Sequence, residues 1–576
     1  MMMEQEWPGL YMVAGLARAG LLSDVIVQKE PADQAPWSLG GLRRSGGVIG
    51  WERAIGVFFG FRQGWRYALR RLRDKSAQPQ LRDIAQSGVT VHRVPAFLSP
   101  ECHDLLRRLA PDVTVICGTP ILPDSLLSIA RLCTLNTHTS VLPHYRGGGS
   151  LFWPLFFRDT EKVGITIHKA VAQVDAGPYL HQEAIPVKPG DTPPVLARLA
   201  FERATARMIE ILRDSPLDET VWKQYEKPLR YAWRAPDAML KRYVYGPTLR
   251  QKAGSVVQQA AWALRVNPRP RGGIATFLFH RILDDNTPSG DWRRMMSHPT
   301  VSELREKLLY LKQRFEIIPV SRALELIDRR EPLKESYAVI TVDDGYRDFR
   351  TRFLPLAEQL GVPGTLFVCT GAIASGSIWF QRLYDLITRI PGDRLYLPWA
   401  DRHVYFGDTE QRVMTIERAI APYLKRLSRA LRRERIESLL EHNPVDPVPD
   451  PQDAFCGVDD LLALKASRWI ELYPHSHHHD PYETLNEQEL VTDITTCRNF
   501  FAERLGIESS VMSYPNGRSR QEYHPLLERA GIRHAFGITF GVEQPPRTRP
   551  HDILRVAMGN DSMAAFHWNV RKLLRT

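Results

Sequence analysis

Four histidines fall within five positions in "YPHSHHHDP", residues 473–481. The outer pair, His475 and His479, stands four residues apart, so one helical turn or a tight bend after a strand aims both imidazoles at one point. Two imidazoles do not complete a catalytic metal site, which typically takes three protein ligands and an open position for water. A carboxylate must come from elsewhere, and "TVDDGYRD" supplies it: Asp343 and Asp344 follow the apolar run "YAVITV". Adjacent carboxylates at a strand end repel one another unless a cation or a shared proton relieves them. One can bind metal while the other stays free as a base, and Gly345 permits the sharp turn that such an exit needs. Either motif alone reads as a turn or a solvated bend; together, at strand ends, they point to a metal hydrolase. His477 and His478 are read as solvated neighbours, because the metal needs only one face of the turn.

A second constellation lies in "LNTHTSVLPHYRGGGSLFW", residues 135–153. Asn136 and His138, two apart, share one side of an extended segment. An asparagine amide can donate to a developing oxyanion, and a neighbouring histidine can accept the proton lost by an attacking amine. By itself N-x-H describes a capped turn. The segments around it add weight: "CGTPILP" before it, then "VGITIHKAVAQVDAGPYL" with Asp175 ahead of a glycine, then "IPVKPGDTPPVLARLAFERA".

In this order the segments resemble, over about residues 90–215, the formyltransferase family that uses 10-formyltetrahydrofolate and acts on methionyl-tRNA, glycinamide ribonucleotide or nucleotide-sugar amines. The resemblance implies that Asn136 polarises the formyl carbonyl, that His138 handles the proton and that Asp175 orients His138 or a relay water. It further implies that Pro120, Ile121 and Leu122 line the folate pocket, with Arg146 and Gly147 of "PHYRGGG" contributing to cofactor binding. About residues 275–560 resemble the polysaccharide deacetylase family: "FHRILDD" is similar to its opening strand, "TVDDGYRD" to its first motif, "HSHHH" to its H-[ST]-x-x-H motif and "SYPNG" to its third. That resemblance implies a divalent metal, zinc, held by Asp344, His475 and His479, with Asp343 as general base and a backbone N–H near Tyr514 on the oxyanion. Three departures stand out: Val511 occupies a common arginine position, Asp480 a proline position, and "ILRVAMGN" lacks the usual general-acid histidine. His551, His567 and His280 are the remaining candidates for that acid.

The elements that must carry these residues alternate. In residues 1–215, "DVIVQ", "VTVHRV", "DVTVICG" and "LCTLN" read as buried strands between amphipathic helices. In the last helix Leu196, Leu199, Ala200, Ala204, Met208, Ile211 and Leu212 form one apolar stripe. Strand and helix in alternation imply a parallel α/β sheet. A sheet of this type opens on a strand, yet the chain goes almost directly from its first methionines into a helix, so either the true start lies upstream or an edge element is lacking. Residues 216–270 break the rhythm and read as a linker ending in "NPRPRGG". Residues 271–576 resume it with seven or so strand-then-turn units, suited to a parallel barrel or a large open sheet. An insertion over about 384–455 adds basic helices and a proline-rich exit. The expected fold is α/β: a Rossmann-like open parallel sheet of formyltransferase type, then a (β/α) distorted barrel of deacetylase type.

The chain has 576 residues, more than one core usually supports. Its net charge of +11 concentrates in helical stretches such as residues 62–75 and 424–437. These are read as solvated faces, with peripheral membrane contact as the other use; no specific nucleic-acid partner is expected, since neither carries a stacking platform. The six cysteines form no C-x-x-C pair, which favours buried free thiols over a disulfide framework. Without an export signal or a bilayer-length apolar run, a cytoplasmic protein is expected. The leading expectation is a bifunctional enzyme acting on an amino-sugar or nucleotide-sugar substrate, N-deacetylating with its second half and formylating an amine with its first. The alternatives are a deacetylase with a non-catalytic formyltransferase-like binding module, and a membrane-surface scaffold docked through residues 62–75.

Overall fold

The computed structural model describes residues 2–3, 7–28, 88–188, 191, 193–225, 232–233, 258–259, 272–445, 453–545, 547–559 and 561–574. The basic stretch 62–75 and most of the 216–270 segment lie outside them. The chain divides into two compact units, Met1–Ala253 with Trp399–Tyr405, and Gly254–Pro398 with Phe406–Thr576.

The first unit is built on a seven-stranded sheet. In chain order its strands are β1 (Met2–Met3), β2 (Asp24–Gln28), β3 (Thr90–Val94), β4 (Val113–Cys117), β5 (Cys133–Ser140), β6 (Val163–Lys169) and β7 (Tyr179–Ala184). Across the sheet they run β3-β2-β1-β4-β5-β6-β7, parallel as far as β5 and antiparallel beyond. The expected missing edge strand is corrected here: Met2–Met3 pairs with both Ile26–Val27 and Ile116–Cys117, so the opening strand exists and lies inside the sheet. Helices α1 (Trp7–Arg18) and α2 (Pro193–Asp214) cover one face. Met12 and Leu16 pack with Leu196, Ala200, Ala204 and Met208 over Leu135, Ile165 and Ile167, which is the stripe read from the sequence. The two helices approach so closely that a Cβ on Gly15 would stand 2.3 Å from Thr205 Cγ2. The linker boundary also moves. Lys223 bridges Tyr179 of β7, and Ala232–Trp233 pairs in parallel with Arg146–Gly147, so these parts of 216–270 belong to the first unit.

The second unit holds β8 (Gly273–Phe279), β9 (Ser336–Val342), β10 (Gly364–Val368), β11 (Ile470–Pro474), β12 (Val511–Ser513), β13 (His534–Phe536) and β14 (Val556–Ala557). The order β11-β10-β9-β8-β14 is parallel throughout, and β12 and β13 form a separate parallel pair. Among the described residues these ladders trace an arc, not a closed ring. Strand β8 is buried at every position, as expected where both faces of a parallel sheet are covered. Ala275, Phe277 and Phe279 face one core with Ala338, Ile340 and Val342, while Ile274 and Val339 face the other. The consequence for function is that the carboxyl ends of β8 and β9 lie side by side, with that of β11 beyond β10 along the same edge.

All six cysteines are free and buried. Among the described residues no helix is long and apolar enough to cross a membrane.

Candidate active sites

At the carboxyl end of β9 the chain must turn hard to present two carboxylates. Asp344 takes φ +77° and Gly345 φ +96°; the first is costly for a residue with a Cβ. After β11, Ser476 and His479 are also left-handed, at φ +87° and +56°. Strain of this kind persists where the surrounding structure overdetermines it, and here it falls on two of the three expected metal ligands. Asp344, His475 and His479 are buried, and each offers a ligand atom within 4.8 Å of the others. The His475 Nδ1 lies 3.1 Å from the Ser513 carbonyl, which only accepts, so Nδ1 carries the hydrogen and Nε2 presents its lone pair. That Nε2 stands 3.6 Å from Asp344 Oδ1, and His479 Nε2 stands 3.3 Å from the same oxygen without hydrogen-bond geometry. Asp344 Oδ1 and His479 Nδ1 are buried polar atoms with no hydrogen-bond partner among the described residues. A fold leaves such groups unpaired at a cost, and a divalent cation would satisfy the oxygen. The donor set of two imidazoles and one carboxylate suits zinc.

The neighbouring carboxylate is held differently. Arg555 Nη1 and Nη2 donate to the two oxygens of Asp343 at 2.7 and 2.9 Å, and its Nε donates to the Gly537 carbonyl at 2.9 Å. Burial works to raise the Asp343 pKa, but the charge and paired hydrogen bonds of Arg555 hold it below the usual carboxylate range. Burial likewise opposes ionisation of Asp344, and His479 reverses it. Burial pushes His475 down to about 4, against the pull of Asp343, so the ring is neutral and able to ligate.

His477 and His478 stand apart from the ligand set, as expected. Their backbone N–H groups donate to Asp493 at 3.0 Å each, and His477 Nδ1 lies 2.9 Å from Thr370 Oγ1. Asp480, in place of a proline, is paired with Arg429 and Arg432. At Tyr514 the residue's own N–H donates to the Phe536 carbonyl at 3.0 Å and its hydroxyl to the His551 carbonyl at 2.8 Å, so an oxyanion donor near it would be another backbone N–H. The three acid candidates also separate. His551 Nε2 lies 3.1 Å from the Ile532 carbonyl and His567 Nδ1 2.7 Å from the Tyr310 hydroxyl. His280 instead extends β8, where Phe279 is in register with Val342 and its carbonyl accepts from the Asp343 N–H at 3.1 Å.

The first unit gathers its own buried cluster. Asn136 of β5 is the cross-strand partner of His168 on β6. The Asn136 amide nitrogen donates to Asp175 Oδ1 at 3.2 Å and lies 3.2 Å from His168 Nε2, which is itself 3.4 Å from that carboxylate. His138 Nε2 lies 2.7 Å from the Tyr145 carbonyl, so it carries hydrogen, and Nδ1 faces Asp175 Oδ2 at 3.3 Å. Two acceptors around one imidazole suit a ring that takes up a proton. Burial lowers the His138 pKa while Asp175 opposes it; Asp175, although burial resists its charge, is held well below the carboxylate range by His138 and His168. Asp175 sits at φ +47°, a third strained position on an expected site residue. Arg146 and Gly147, expected at the cofactor, also brace the cluster. Arg146 donates through Nε, at 3.0 Å, and Nη2 to the Val174 carbonyl, and the Gly147 N–H donates to Asp175 Oδ2 at 2.8 Å. In the loop after β4, Pro120 and Ile121 are exposed, Ile121 to 69%, while Leu122 is buried in the core.

Residues 68–212 match the formyl transferase family. Among curated relatives, the methionyl-tRNA formyltransferase of Dehalococcoides mccartyi is 38% identical over 126 residues, 21% of this chain and 40% of the relative. That of Deinococcus radiodurans is 40% identical over 121 residues, 20% of this chain and 38% of the relative. The chain thus spans about two fifths of the length of these relatives. Among solved structures, the Streptococcus pyogenes deacetylase PplD in complex with acetate aligns over 53% of this chain and 99% of its own, at 12% identity and a TM-score of 0.35.

Within residues 68–212, His168 is not legible from the sequence as a site residue, because its role comes from register against Asn136. In the second unit Arg555 and Ser513 are likewise absent from the residues the sequence singles out. A charged residue inside the apolar run "ILRVA" was the available signal for Arg555; Ser513 carried none.

Proposed function

We propose that the chain is a bifunctional enzyme of amino-sugar modification, coupling metal-dependent N-deacetylation to formyl transfer from 10-formyltetrahydrofolate. The observation that carries the reading is the pairing, in one chain, of the Asp344, His475 and His479 ligand set beside an Arg555-held Asp343 with the Asn136, His138 and Asp175 cluster in a region matching formyl transferases.

In the second unit, a divalent ion such as zinc, held by Asp344, His475 and His479, would lower the pKa of water and polarise the amide carbonyl. Asp343, kept ionised by Arg555, takes a proton from the attacking water. His280 returns a proton to the departing amine as the C–N bond breaks, so acetate and a free amine leave. In the first unit, a free amine attacks the formyl carbon and His138 receives its proton, stabilised between Asp175 and the Tyr145 carbonyl. Asn136 donates to the formyl oxygen in competition with His168. Exposed Pro120 and Ile121 would cover the apolar part of the formyl donor. The free amine made by one reaction is the acceptor required by the other. A missing first strand would have favoured a non-catalytic module as the first half; Met2–Met3 instead pairs inside the sheet, which supports the catalytic reading.

Mass spectrometry of N-acetylated and free amino sugars, incubated with protein, zinc and 10-formyltetrahydrofolate, tests this. The parent deacetylates and formylates, Asp344→Ala loses only the first activity and His138→Ala only the second. Methionyl-tRNA goes into the same panel, since that acceptor is in the relatives' names; its use in place of every amino sugar overturns the amino-sugar reading.

A further inference from the structure

We infer that Tyr225 holds a hydroxyl oxygen of the amine-bearing acceptor in the formyl-transfer site. This rests on the formyl-transfer reading of the first unit and names a contact that lies beyond the matched residues 68–212.

The segment carrying Tyr225 returns to the sheet at β7, where Lys223 and Tyr179 exchange both backbone hydrogen bonds, at 3.0 and 2.9 Å. The Tyr225 ring then stacks on Tyr179, with centroids 5.2 Å apart and planes 25° apart. Tyr179 is in turn the cross-strand partner of His168, whose ring reaches Asp175 and Asn136. Tyr225 is therefore fixed one side chain away from the cluster. Its hydroxyl is buried and has no hydrogen-bond partner among the described residues. Most buried polar groups are paired, so an unpaired one beside a candidate site calls for a physical reason, and an absent ligand supplies it. Burial and the charge of Asp175 raise the phenol pKa against the opposing pull of Arg146, so at neutral pH the group is a donor.

Sheet order decides which ligand it meets. The reacting groups Asn136 and His138 sit on β5. The exposed Pro120 and Ile121 follow β4 on one side, whereas Tyr225 rests against β7 on the other. Donor and acceptor must flank the reacting groups, and the loop after β4 belongs to the formyl donor in the proposed reading. A contact beyond the shared family region is also where acceptors of different chemistry are told apart. An amino sugar presents hydroxyl oxygens to such a phenol.

Tyr225→Phe keeps the ring and its stack and deletes only the hydroxyl. Steady-state formyl transfer from 10-formyltetrahydrofolate to glucosamine and to UDP-glucosamine is measured with the full chain. The variant is expected to raise the KM for the amine about five- to tenfold, the effect of one lost hydrogen bond, with kcat and the KM for 10-formyltetrahydrofolate within about twofold of the parent. An unchanged amine KM, a rise in the folate KM instead, or a fall in kcat alone overturns the inference. A parent that formylates neither amine defeats the amino-sugar reading of the acceptor, and Tyr225 with it, an outcome distinct from an active parent with an indifferent variant.

Discussion

Arg555 and Asp343 meet through two parallel hydrogen bonds of 2.7 and 2.9 Å, both side chains withdrawn from solvent. The fork comes from the end of the chain and the carboxylate from the middle, so the pair ties β14 to β9 across β8. Breaking a buried pair from one side leaves an uncompensated charge, which costs about 3–5 kcal/mol. Arg555→Met is expected to lower the unfolding free energy of the second unit by that amount, read from the midpoint and slope of a urea titration. Arg555→Lys should recover part of it, because it keeps the charge and loses the fork. An unchanged midpoint in the methionine variant would mean that the pair contributes nothing to the fold.

The hydrogen on His475 Nδ1 is shared between the Ser513 hydroxyl and the Ser513 carbonyl. Such partners fix the ring orientation of a ligating histidine, and their loss typically weakens metal binding about 10- to 100-fold. Ser513→Ala removes only the hydroxyl, so a loss near the lower end is expected in zinc competition titrations against a chromophoric chelator. Chelation of the parent should abolish deacetylation and leave formyl transfer intact. Formyl transfer that stops with the metal would contradict two independent sites.

Burial depresses His138 below its ordinary value of 6.5 while Asp175 pulls the other way. A histidine held neutral in the fold contributes stability that is complete above the unfolded pKa. That contribution shrinks as pH falls below 6.5, where the unfolded chain binds the proton first, until the folded ring titrates. The His138 imidazole resonances should therefore show a midpoint below 6.5 by NMR. Asp175→Asn removes the opposing charge and should move the midpoint lower still. An upward move would show that Asp175 is not the dominant charge facing the ring.

Much of this was legible from local pattern. Asp344, His475 and His479 were readable because each follows an apolar run that could only be a strand, and a strand end fixes where a side chain can go. Asn136, His138 and Asp175 were readable from residue type and order. What escaped depends on register: His168 faces Asn136 across an antiparallel pair, and Arg555 reaches Asp343 from more than two hundred residues away. Arg146 and Tyr514 follow the same rule: the hydrogen bonds from Arg146 to Val174, and from Tyr514 to Phe536 and His551, join residues the sequence does not place side by side. The opening strand was invisible because two residues carry no periodicity.

His280 separates from the other acid candidates by one further measurement. His551 and His567 each have a hydrogen-bond partner within the fold, so His551→Gln and His567→Gln should change stability more than turnover. His280 stands in line with Asp343 at the ends of adjacent parallel strands, where a proton donor can reach the departing nitrogen. General acid assistance is typically worth about 10²–10⁴-fold, and it matters most for a poor leaving group such as an amine. His280→Ala should therefore cut deacetylation of an N-acetyl amino sugar by that range. Hydrolysis of 4-nitrophenyl acetate, whose leaving group needs no proton, should fall only a few-fold, with zinc affinity unchanged. Equal losses on both substrates would point to a damaged site, and lost zinc to a ligand role; either result removes His280 as the acid.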